Sequence, residues 1–353
     1  MTASLLIYGA TGYTGQLIAR HAAMEGLRPI VAGRNGQKVG TLAGELGLEG
    51  RTFTLHDEGT IARHLEGVDC VLNVAGPFSQ TARPVIDACL QTGTHYLDVT
   101  GEIEVFELAA SRDAAARAAG IMLLPGVGFD VVPSDCLAAM VTAELAEPVS
   151  LEIGILGLGG ASQGTMKTGV ESIGAPTRVR RAGKIVSRPA GSLTRHFDFG
   201  RGPRPVVAVS WGDVATAYYS TGVPNITDYF PARSMSPLLR AARWLGPVLR
   251  TRPVQAVLKR AIELRPAGPN EEKLETAISI VVAEAKDANG GSASGRLQTP
   301  NGYKLTYLAA VDIARRVLGG AWKAGFQTPS LAYGAEYVLT LPGCRLEKTG
   351  ETC

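Results

Sequence analysis

The feature that most constrains the fold is a glycine-rich turn close to the start of the chain. Residues 4–8 (Ser-Leu-Leu-Ile-Tyr) have the apolar character of a short buried strand, and they run directly into Gly9-Ala10-Thr11-Gly12-Tyr13-Thr14-Gly15. Residues 16–26 carry apolar side chains at the spacing of a helix that packs on a sheet. A strand, a glycine turn and a helix in this order predict a dinucleotide-binding turn.

The glycines of this turn have separate roles in such a site. Gly9 permits the tight turn, Gly12 lets a pyrophosphate approach the backbone, and Gly15 lets the helix and strand pack closely. The N-terminus of the helix then faces the phosphate charge. All residues of the range 9–15 are therefore predicted cofactor contacts. The spacing is G-x-x-G-x-x-G rather than G-x-G-x-x-G, and a purely structural turn is the alternative interpretation.

Coenzyme specificity is indicated at the end of the second predicted strand, residues 28–32. An NAD-specific domain usually has Asp or Glu here to bind the ribose 2′-hydroxyl, but this chain has Gly33-Arg34-Asn35. The guanidinium of Arg34 suits the 2′-phosphate of NADP, and Lys38 could add a second charge. The sequence therefore predicts NADP as cofactor, with NADPH preferred over NADH and with Arg34 and Asn35 as contacts. A solvated arginine at a strand end is the alternative.

Strands and helices alternate through residue 125, which predicts a Rossmann-type, doubly wound parallel sheet with helices on both faces. In such a sheet the loops after the carboxyl ends of the strands line the ligand crevice. The strand predicted over 68–75 ends at one of these loops. Asn73, Gly76, Pro77 and Phe78 are therefore predicted to border the cofactor, and a core position is the alternative for Phe78.

After residue 148 the pattern changes to longer strands, which favour a second α+β domain with a mainly antiparallel sheet. The turn Asn289-Gly290 joins two of these strands. The fold class is thus α/β, with an NAD(P)-binding domain over 1–130 and a substrate and dimerisation domain over 131–324. A segment of about 325–353 is expected to pack back on the first domain. The strands predicted in the second domain are 149–157, 178–188, 193–199, 206–209, 213–220, 278–286 and 295–299.

Several familiar catalytic patterns are absent from the sequence. No tyrosine has a lysine four residues later, which disfavours short-chain dehydrogenase chemistry. The five histidines and five cysteines show no metal-ligand spacing, so no metal site is predicted. Hydride transfer remains as the chemistry, because in it the cofactor carries the reaction and the protein supplies position and electrostatics.

The candidate catalytic residues lie where predicted strands end. Glu102 and Asp130 are expected on carboxyl-end loops, whereas Tyr96, like Asp98, lies on a strand and can point into the sheet packing. A helix cap or loop anchor is the alternative role for each. An imine needs little more than a nearby carboxylate to accept hydride, while an enoyl group also needs an oxygen donor and a proton for carbon.

Substrate contacts are predicted at three positions beyond these. Phe129 precedes Asp130, and Ser134 follows on the same segment, where it is also a candidate N-cap for a helix over 136–145. Lys167 lies near the start of a helix predicted over 165–173 and could bind a substrate carboxylate.

Composition limits the partners. The net charge of +3 is too small to indicate nucleic acid, and no apolar run is long enough to cross a bilayer. The free cysteines and the immediate first strand favour a cytoplasmic protein without a signal peptide. The segment 232–265 is basic and amphipathic. It favours either a solvated or dimer-facing helical pair, or contact with a membrane surface or an acyl-carrier protein.

Taken together, the motifs resemble those of the saccharopine dehydrogenase-like NADP-binding oxidoreductases. They are GATGYTG at 9–15, AGR at 32–34, AGPF at 75–78, YLDVTGE at 96–102, LPGVGFDVVPSD at 124–135, GFQTP at 325–329 and LPG at 341–343. The resemblance implies a Rossmann domain, an α/β domain with substrate contacts and a homodimer surface. It also implies an NADP-dependent reductase that acts on an imine or an enoyl group, as its saccharopine and trans-acting enoyl reductase relatives do. A catalytically silent NADP-binding sensor or scaffold is the alternative.

Overall fold

The computed structural model describes residues 4–157, 160, 162–172, 175–231 and 251–347, apart from a few helical side chains that include Lys167. Its contacts divide the chain into two compact units. The first unit comprises residues 1–132 and 303–334, and the second comprises residues 133–302 and 335–353.

The first half of the chain alternates strands and helices, as the sequence predicted. Its elements are β1 (Leu5–Tyr8), α1 (Tyr13–Met24), β2 (Ile30–Gly33), α2 (Gly36–Leu46), β3 (Gly50–Thr52), α3 (Glu58–Leu65), β4 (Cys70–Asn73), α4 (Phe78–Thr92), β5 (His95–Asp98), α5 (Ile103–Ser111), α6 (Asp113–Ala119), β6 (Met122–Leu124) and α7 (Val132–Thr142).

The second half is richer in long strands. Its elements are β7 (Pro148–Gly157), α8 (Gln163–Ser172), β8 (Thr177–Arg181), β9 (Lys184–Arg188), β10 (Thr194–Asp198), β11 (Pro203–Val209), α9 (Asp213–Thr221), β12 (Asn225–Pro231), α10 (Arg252–Glu263), α11 (Glu271–Thr276), β13 (Ile278–Asp287), β14 (Ser292–Pro300), α12 (Gly302–Leu318), β15 (Gly325–Phe326), α13 (Pro329–Tyr333), a 3-10 helix (Ala335–Thr340) and β16 (Arg345–Glu347).

The sheet of the first unit is parallel throughout its described strands. Its order is β15-β6-β5-β4-β1-β2-β3, which places β1 in the middle. β1, β2, β4 and β5 are buried along their whole length, as strands covered by helices on both faces must be. The register aligns Ala32, Tyr8, Asn73 and Asp98, so the carboxyl ends of these strands lie in one row. The predicted Rossmann-type sheet is confirmed.

The sheet of the second unit is mixed, with mostly antiparallel pairs. The order β10-β11-β12-β7-β13-β14-β16 includes one parallel pair, β12 with β7. The hairpin of β8 and β9 joins this sheet through β12. The predicted α+β character is confirmed, and the predicted turn at Asn289-Gly290 separates β13 from β14, with Gly290 at φ 90°.

Two predicted strands of the second unit are wrong, because 178–188 is the hairpin of β8 and β9 rather than one strand and 213–220 is helical. Residues 213–220 form helix α9, and the adjacent sheet position is taken by β12, which the sequence did not indicate. The helix buries Val214, Ala215 and Ala217. It ends at Gly222 with φ 73°, a left-handed helix terminus that glycine accepts readily. These small apolar residues form the buried face of a short helix rather than one side of a strand.

The segment that returns to the first unit differs from the predicted 325–353. It runs from 303 to 334, because α12 carries Tyr303 and Tyr307, whose rings contact Tyr13 and His21 of α1. Residues 335–347 stay with the second unit, where β16 pairs with β14. The predicted domain roles remain a prediction.

Two further predictions concern the N-cap role of Ser134 and the basic segment 232–265. Ser134 lies inside the first turn of α7, which begins at Val132, so it is not the N-cap of a helix starting at 136. Of the basic segment 232–265, residues 232–250 lie outside the described residues, and the remainder contains α10. Within the described part, no helix is both long and apolar enough to cross a membrane.

Candidate functional site

The glycine turn between β1 and α1 is packed too tightly for side chains at two of its glycines. Gly9 has φ 85°, and a Cβ there would lie 2.8 Å from the backbone nitrogen of Ala75. A Cβ on Gly15 would lie well inside contact distance of the carbonyl oxygen of Gly9 and 2.8 Å from Cα of Ala10. At Gly12, which is the N-cap of α1, the closest atom would be 3.4 Å away. Gly9 and Gly15 are therefore required by packing, whereas Gly12 leaves the turn open on its outer side.

The N-terminus of α1 offers backbone donors at this turn. The bond from Gln16 N to Gly12 O is the first of the intrahelical pattern, at 2.9 Å. The N–H groups that precede it, including those of Thr14 and Gly15, point out of the helix end. Together with the positive end of the helix dipole, these groups suit a phosphate group. The predicted contacts of the range 9–15 therefore lie on one turn, and their contact with a cofactor stays a prediction.

The end of β2 adds a positive charge beside the turn. Arg34 is exposed directly after β2. The preceding Gly33 lies close to the glycine turn, because a Cβ on Gly33 would be 3.7 Å from the hydroxyl oxygen of Thr11. Asn35 is the N-cap of α2 and accepts a hydrogen bond from Lys38 N at 3.0 Å. The predicted contacts Arg34 and Asn35 thus sit at a second helix N-terminus, where both the guanidinium and the helix dipole favour an anion.

The loop after β4 is held by side-chain bonds from two directions. Asn73 accepts from Ala75 N at 3.1 Å, and its amide donates to the hydroxyl of Thr81 at 3.1 Å. Glu102 accepts from the backbone N–H groups of Phe78 and Ser79, at 2.8 and 2.7 Å. Its two carboxylate oxygens therefore cap the N-terminus of α4 and fix the loop that contains Gly76 and Pro77. In this structure Glu102 acts as a helix cap.

A buried network joins the ends of β5 and β6. The hydroxyl of Tyr96 donates to Asp98 at 2.7 Å, and the other carboxyl oxygen of Asp98 accepts from Thr100 N and Gly126 N, each at 2.9 Å. Asp98 is completely buried, and burial raises its pKa to about 6 despite these three bonds. Tyr96 is also completely buried, so its hydroxyl serves this network.

Asp130 occupies the loop after β6, next to the loop after β5. A Cβ on Gly101 would lie 3.2 Å from both Cβ and Oδ2 of Asp130, so the side chain of Asp130 packs against the backbone of Gly101. Desolvation by the surrounding protein raises the pKa of Asp130 to about 7, although the residue keeps some accessible surface. Among the candidate acids, Asp130 combines a pKa near neutrality with access from outside the core.

Helix α12 completes this edge of the first unit. The backbone N–H of Phe129 donates to the hydroxyl of Thr306 at 3.0 Å. A Cβ on Gly128 would lie 2.9 Å from Cγ2 of the same threonine, so α12 packs directly on the loop. The ring of Tyr303 meets Tyr13 edge-on, 5.3 Å between centroids. Burial is the main cause that raises the pKa of Tyr13 to about 12.

The remaining predicted substrate residues belong to the second unit. Ser134 is completely buried in α7. Lys167 lies on α8, and its side chain falls outside the described residues. The structure thus groups Tyr96, Glu102, Phe129 and Asp130 at the carboxyl edge of the parallel sheet, and their roles there stay a prediction.

Sequence reasoning missed two contributors to this edge. Thr306 and Tyr303 come from α12, 177 residues after Phe129 and 290 residues after Tyr13 respectively, and no local signal marks them. Its position on a strand makes Asp98 a weaker candidate in the sequence than the loop acids. The sequence Asp98-x-Thr100 was a usable signal, since an aspartate commonly accepts from the backbone N–H two residues later.

His95 lies at the start of β5, at the opposite end of the strand from Asp98. His95 is a structural residue that accepts from Met122 N at 3.0 Å and contacts the ring of Trp322. Among the described residues, no group of three or more His, Cys, Asp or Glu side chains is arranged to hold a metal ion.

Comparison with known proteins finds similarity of sequence over part of the chain and similarity of fold over nearly all of it. Residues 5–124 match the family model for the saccharopine dehydrogenase NADP binding domain. A trans-acting enoyl reductase of Mycobacterium ulcerans (strain Agy99) is 28% identical over 220 residues, which cover 57% of this chain and 52% of the relative. A saccharopine dehydrogenase-like oxidoreductase of Bos taurus is 29% identical over 153 residues, 37% of this chain and 35% of the relative. The chain thus matches about half or less of these relatives' length.

A solved structure extends the similarity of fold beyond the first unit. Apo saccharopine dehydrogenase (L-Glu forming) from Saccharomyces cerevisiae superposes with a TM-score of 0.63 at 12% identity, covering 98% of this chain and all of the other. At this identity the likeness concerns the fold. The domain match and the shared fold confirm the resemblance to the saccharopine dehydrogenase-like oxidoreductases that the motifs predicted.

Proposed function

We propose that this protein is an NADPH-dependent reductase that transfers hydride to a polarised C=N or C=C bond of a small-molecule or acyl substrate. The observation that carries the proposal is the carboxyl edge of the parallel sheet. There a phosphate cradle at the glycine turn and a carboxyl group with a pKa near 7, that of Asp130, belong to the same row of loops. The relatives named enoyl reductase and saccharopine dehydrogenase-like oxidoreductase support the reaction class.

The preference for NADP rests on Arg34. The guanidinium is exposed at the end of β2, beside the turn and the N-terminus of α2, and no acid occupies the position that would bind a ribose 2′-hydroxyl. A planar guanidinium binds a phosphate through two parallel hydrogen bonds. Bound NADPH would supply the hydride, so the chain's own task is to hold substrate and manage protons.

Asp130 is the residue that we assign to proton transfer. With a pKa of about 7, a large share of the carboxyl group is protonated at neutral pH, and a protonated carboxyl can donate to a nitrogen or carbon that gains electron density. Glu102 and Tyr96 are assigned positioning roles, because their polar atoms are taken up by the cap of α4 and by Asp98. Phe129, Ser134 and Lys167 remain candidate substrate contacts.

The cofactor assignment is tested by coenzyme titration of an Arg34→Ala variant. Removing a guanidinium that binds the 2′-phosphate should weaken NADPH binding by about 30-fold or more, because a charge-assisted pair contributes about 2 kcal/mol or more. NADH binding should stay within about twofold. Arg28→Ala, whose side chain bonds Gly47 O instead, is the matched control. An equal loss for both coenzymes in Arg34→Ala would remove the argument for NADP.

The reaction is tested by NADPH oxidation across imines, keto acids and enoyl thioesters. With an active substrate, Asp130→Asn should lower kcat by about 100-fold while NADPH affinity is kept. The wild-type rate should fall as pH rises above about 7, because the donor is then deprotonated. Tight NADPH binding without turnover over the whole panel would favour the second candidate, an NADP-binding sensor or scaffold.

A further inference from the structure

A separate cleft opens within the second unit, on one face of its mixed sheet. Its volume is about 330 Å³. The lining residues come from β7, β8, β12 and β13, and they are Val149, Ser150, Leu151, Glu152, Arg181, Asn225, Thr227 and Lys286. The cleft belongs to neither the glycine turn nor the loops that carry Asp130.

The sheet register brings the polar residues of the cleft together. Ser150 lies opposite Asn225 on one neighbouring strand and opposite Lys286 on the other. Glu152 and Thr227 form the next pair along the same strands, on the same face because side chains alternate with a period of two. Two adjacent rows of polar side chains therefore form the floor.

Arg181 is held rigidly at one wall. Its guanidinium donates to the hydroxyl of Thr227 at 2.8 Å and to the carbonyl oxygens of Ile226 and Arg180, at 3.2 and 2.7 Å. These bonds use the two terminal nitrogens. They fix the positive charge in place before any ligand arrives, which lowers the entropy lost on binding.

The acidic residue of the cleft already has polar partners. Glu152 accepts from the hydroxyl of Tyr229 at 2.9 Å and forms an ion pair with Arg195, which also pairs with Glu284. By contrast, Lys286 is exposed, and within the described part of the chain neither its ammonium group nor the hydroxyl of Ser150 has a polar partner. The unused groups of the cleft are thus hydrogen-bond donors.

We infer that this cleft binds the oxyanion head group, a carboxylate or a phosphoryl group, of a small molecule. Arg181, Lys286 and Arg195 against Glu152 and Glu284 leave a net charge of +1. Arg181 supplies a fixed guanidinium, Lys286 a mobile ammonium group and Ser150 a hydroxyl donor, the set of groups that recognises an oxyanion. The site is independent of the proposed coenzyme crevice, and its ligand need not be the substrate.

The inference is tested by calorimetric titration with inorganic phosphate and, separately, with succinate, at constant ionic strength set with chloride. The titrations use the full chain with Arg34→Ala, because Arg34 is the proposed phosphate contact of the coenzyme crevice. Lys286→Gln should weaken binding of at least one of the two anions by about tenfold, whereas Lys286→Arg should retain it. Lys273→Gln, an exposed lysine of α11, is the matched control.

The titration distinguishes a phosphoryl ligand from a carboxylate ligand, and it tests the cleft separately from the proposed reductase activity. A response to phosphate alone supports a phosphoryl ligand, and a response to succinate alone supports a carboxylate. No saturable binding of either anion, or equal binding in Lys286→Gln and its parent, overturns the inference. Because NADPH oxidation and the Asp130 variant do not enter this titration, failure here leaves the proposed reductase untouched, and the reverse also holds.

Discussion

The buried carboxyl group of Asp98 makes the stability of the protein depend on pH in a way that one substitution should remove. Asparagine has almost the same shape as aspartate. In Asp98→Asn its amide oxygen can still accept from the backbone N–H groups of Thr100 and Gly126. Its amide nitrogen would face the hydroxyl of Tyr96, which can accept instead of donate. The packing of the strand ends is therefore expected to survive the change.

The magnitude follows from the pKa values of the two states. Burial raises the pKa of Asp98 to about 6 in the folded protein, from 3.8 for an unperturbed aspartate. A raised pKa means that the folded state keeps the proton of Asp98 to a higher pH than the unfolded state does. The contribution of this proton to stability is therefore fully present at pH values below 3.8 and is lost as pH rises through 6. At 1.36 kcal/mol for each pKa unit, the total loss is about 3 kcal/mol, of which about 2 kcal/mol falls between about pH 4.5 and about pH 7.5.

The assay is denaturant unfolding of the wild type and of Asp98→Asn at both pH values. The difference in unfolding free energy between variant and wild type should move in favour of the variant by about 2 kcal/mol as pH rises. Asp57→Asn is a matched control, because hydrogen bonds from Thr60 lower the pKa of Asp57 at the N-cap of α3, so its ionisation changes stability only at pH values below 3.8. Its difference should stay nearly constant over the same range. A difference for Asp98→Asn that does not change with pH would refute the reasoning.

Two further predictions concern the loops at the same edge. Gly15→Ala should lower the unfolding free energy by about 2–3 kcal/mol, because its Cβ would collide with the carbonyl oxygen of Gly9. Gly12→Ala, whose Cβ would have its nearest neighbour 3.4 Å away, should leave unfolding nearly unchanged and weaken only NADPH binding, as paired thermal and fluorescence titrations would reveal. Glu102→Ala should cost about 2 kcal/mol through the uncapped start of α4, and Glu102→Gln about half as much in denaturant unfolding, since one acceptor oxygen remains. Equal effects of Ala and Gln at this position would contradict the cap.

The parallel sheet could be predicted because its signals are local. Each of its central strands is a short apolar run closed by glycine or a polar turn, and the helices between them are amphipathic. The glycines of the first turn could be assigned separate roles, and packing bears out the tight positions, Gly9 and Gly15. The second unit was harder, since the small apolar residues of α9, Val214, Ala215 and Ala217, do not by themselves distinguish a strand from the buried face of a short helix.

The candidate site could be predicted only as far as the loops that form it. Glu102 and Asp130 were expected at carboxyl ends, but spacing cannot reveal that both oxygens of Glu102 cap α4 while Asp130 lies over Gly101. The support from Thr306 depends on a contact across 177 residues of sequence, which one sequence without relatives does not encode in any local pattern. The distinction between the two acids therefore required coordinates.

Asp98 connects these observations, because it bonds both loops that carry the candidate acids. Through Thr100 N it fixes the loop that leads to Gly101 and Glu102, and through Gly126 N it fixes the loop that leads to Asp130. A neutral side chain could make the same two bonds at no cost in ionisation. The carboxyl group differs in that its proton affinity depends on burial and on the charge of Glu102, which raises the pKa of Asp98 further. Because burial is the cause of the raised pKa of Asp130, the charge on Asp98 is linked to that on Glu102 rather than to that on Asp130.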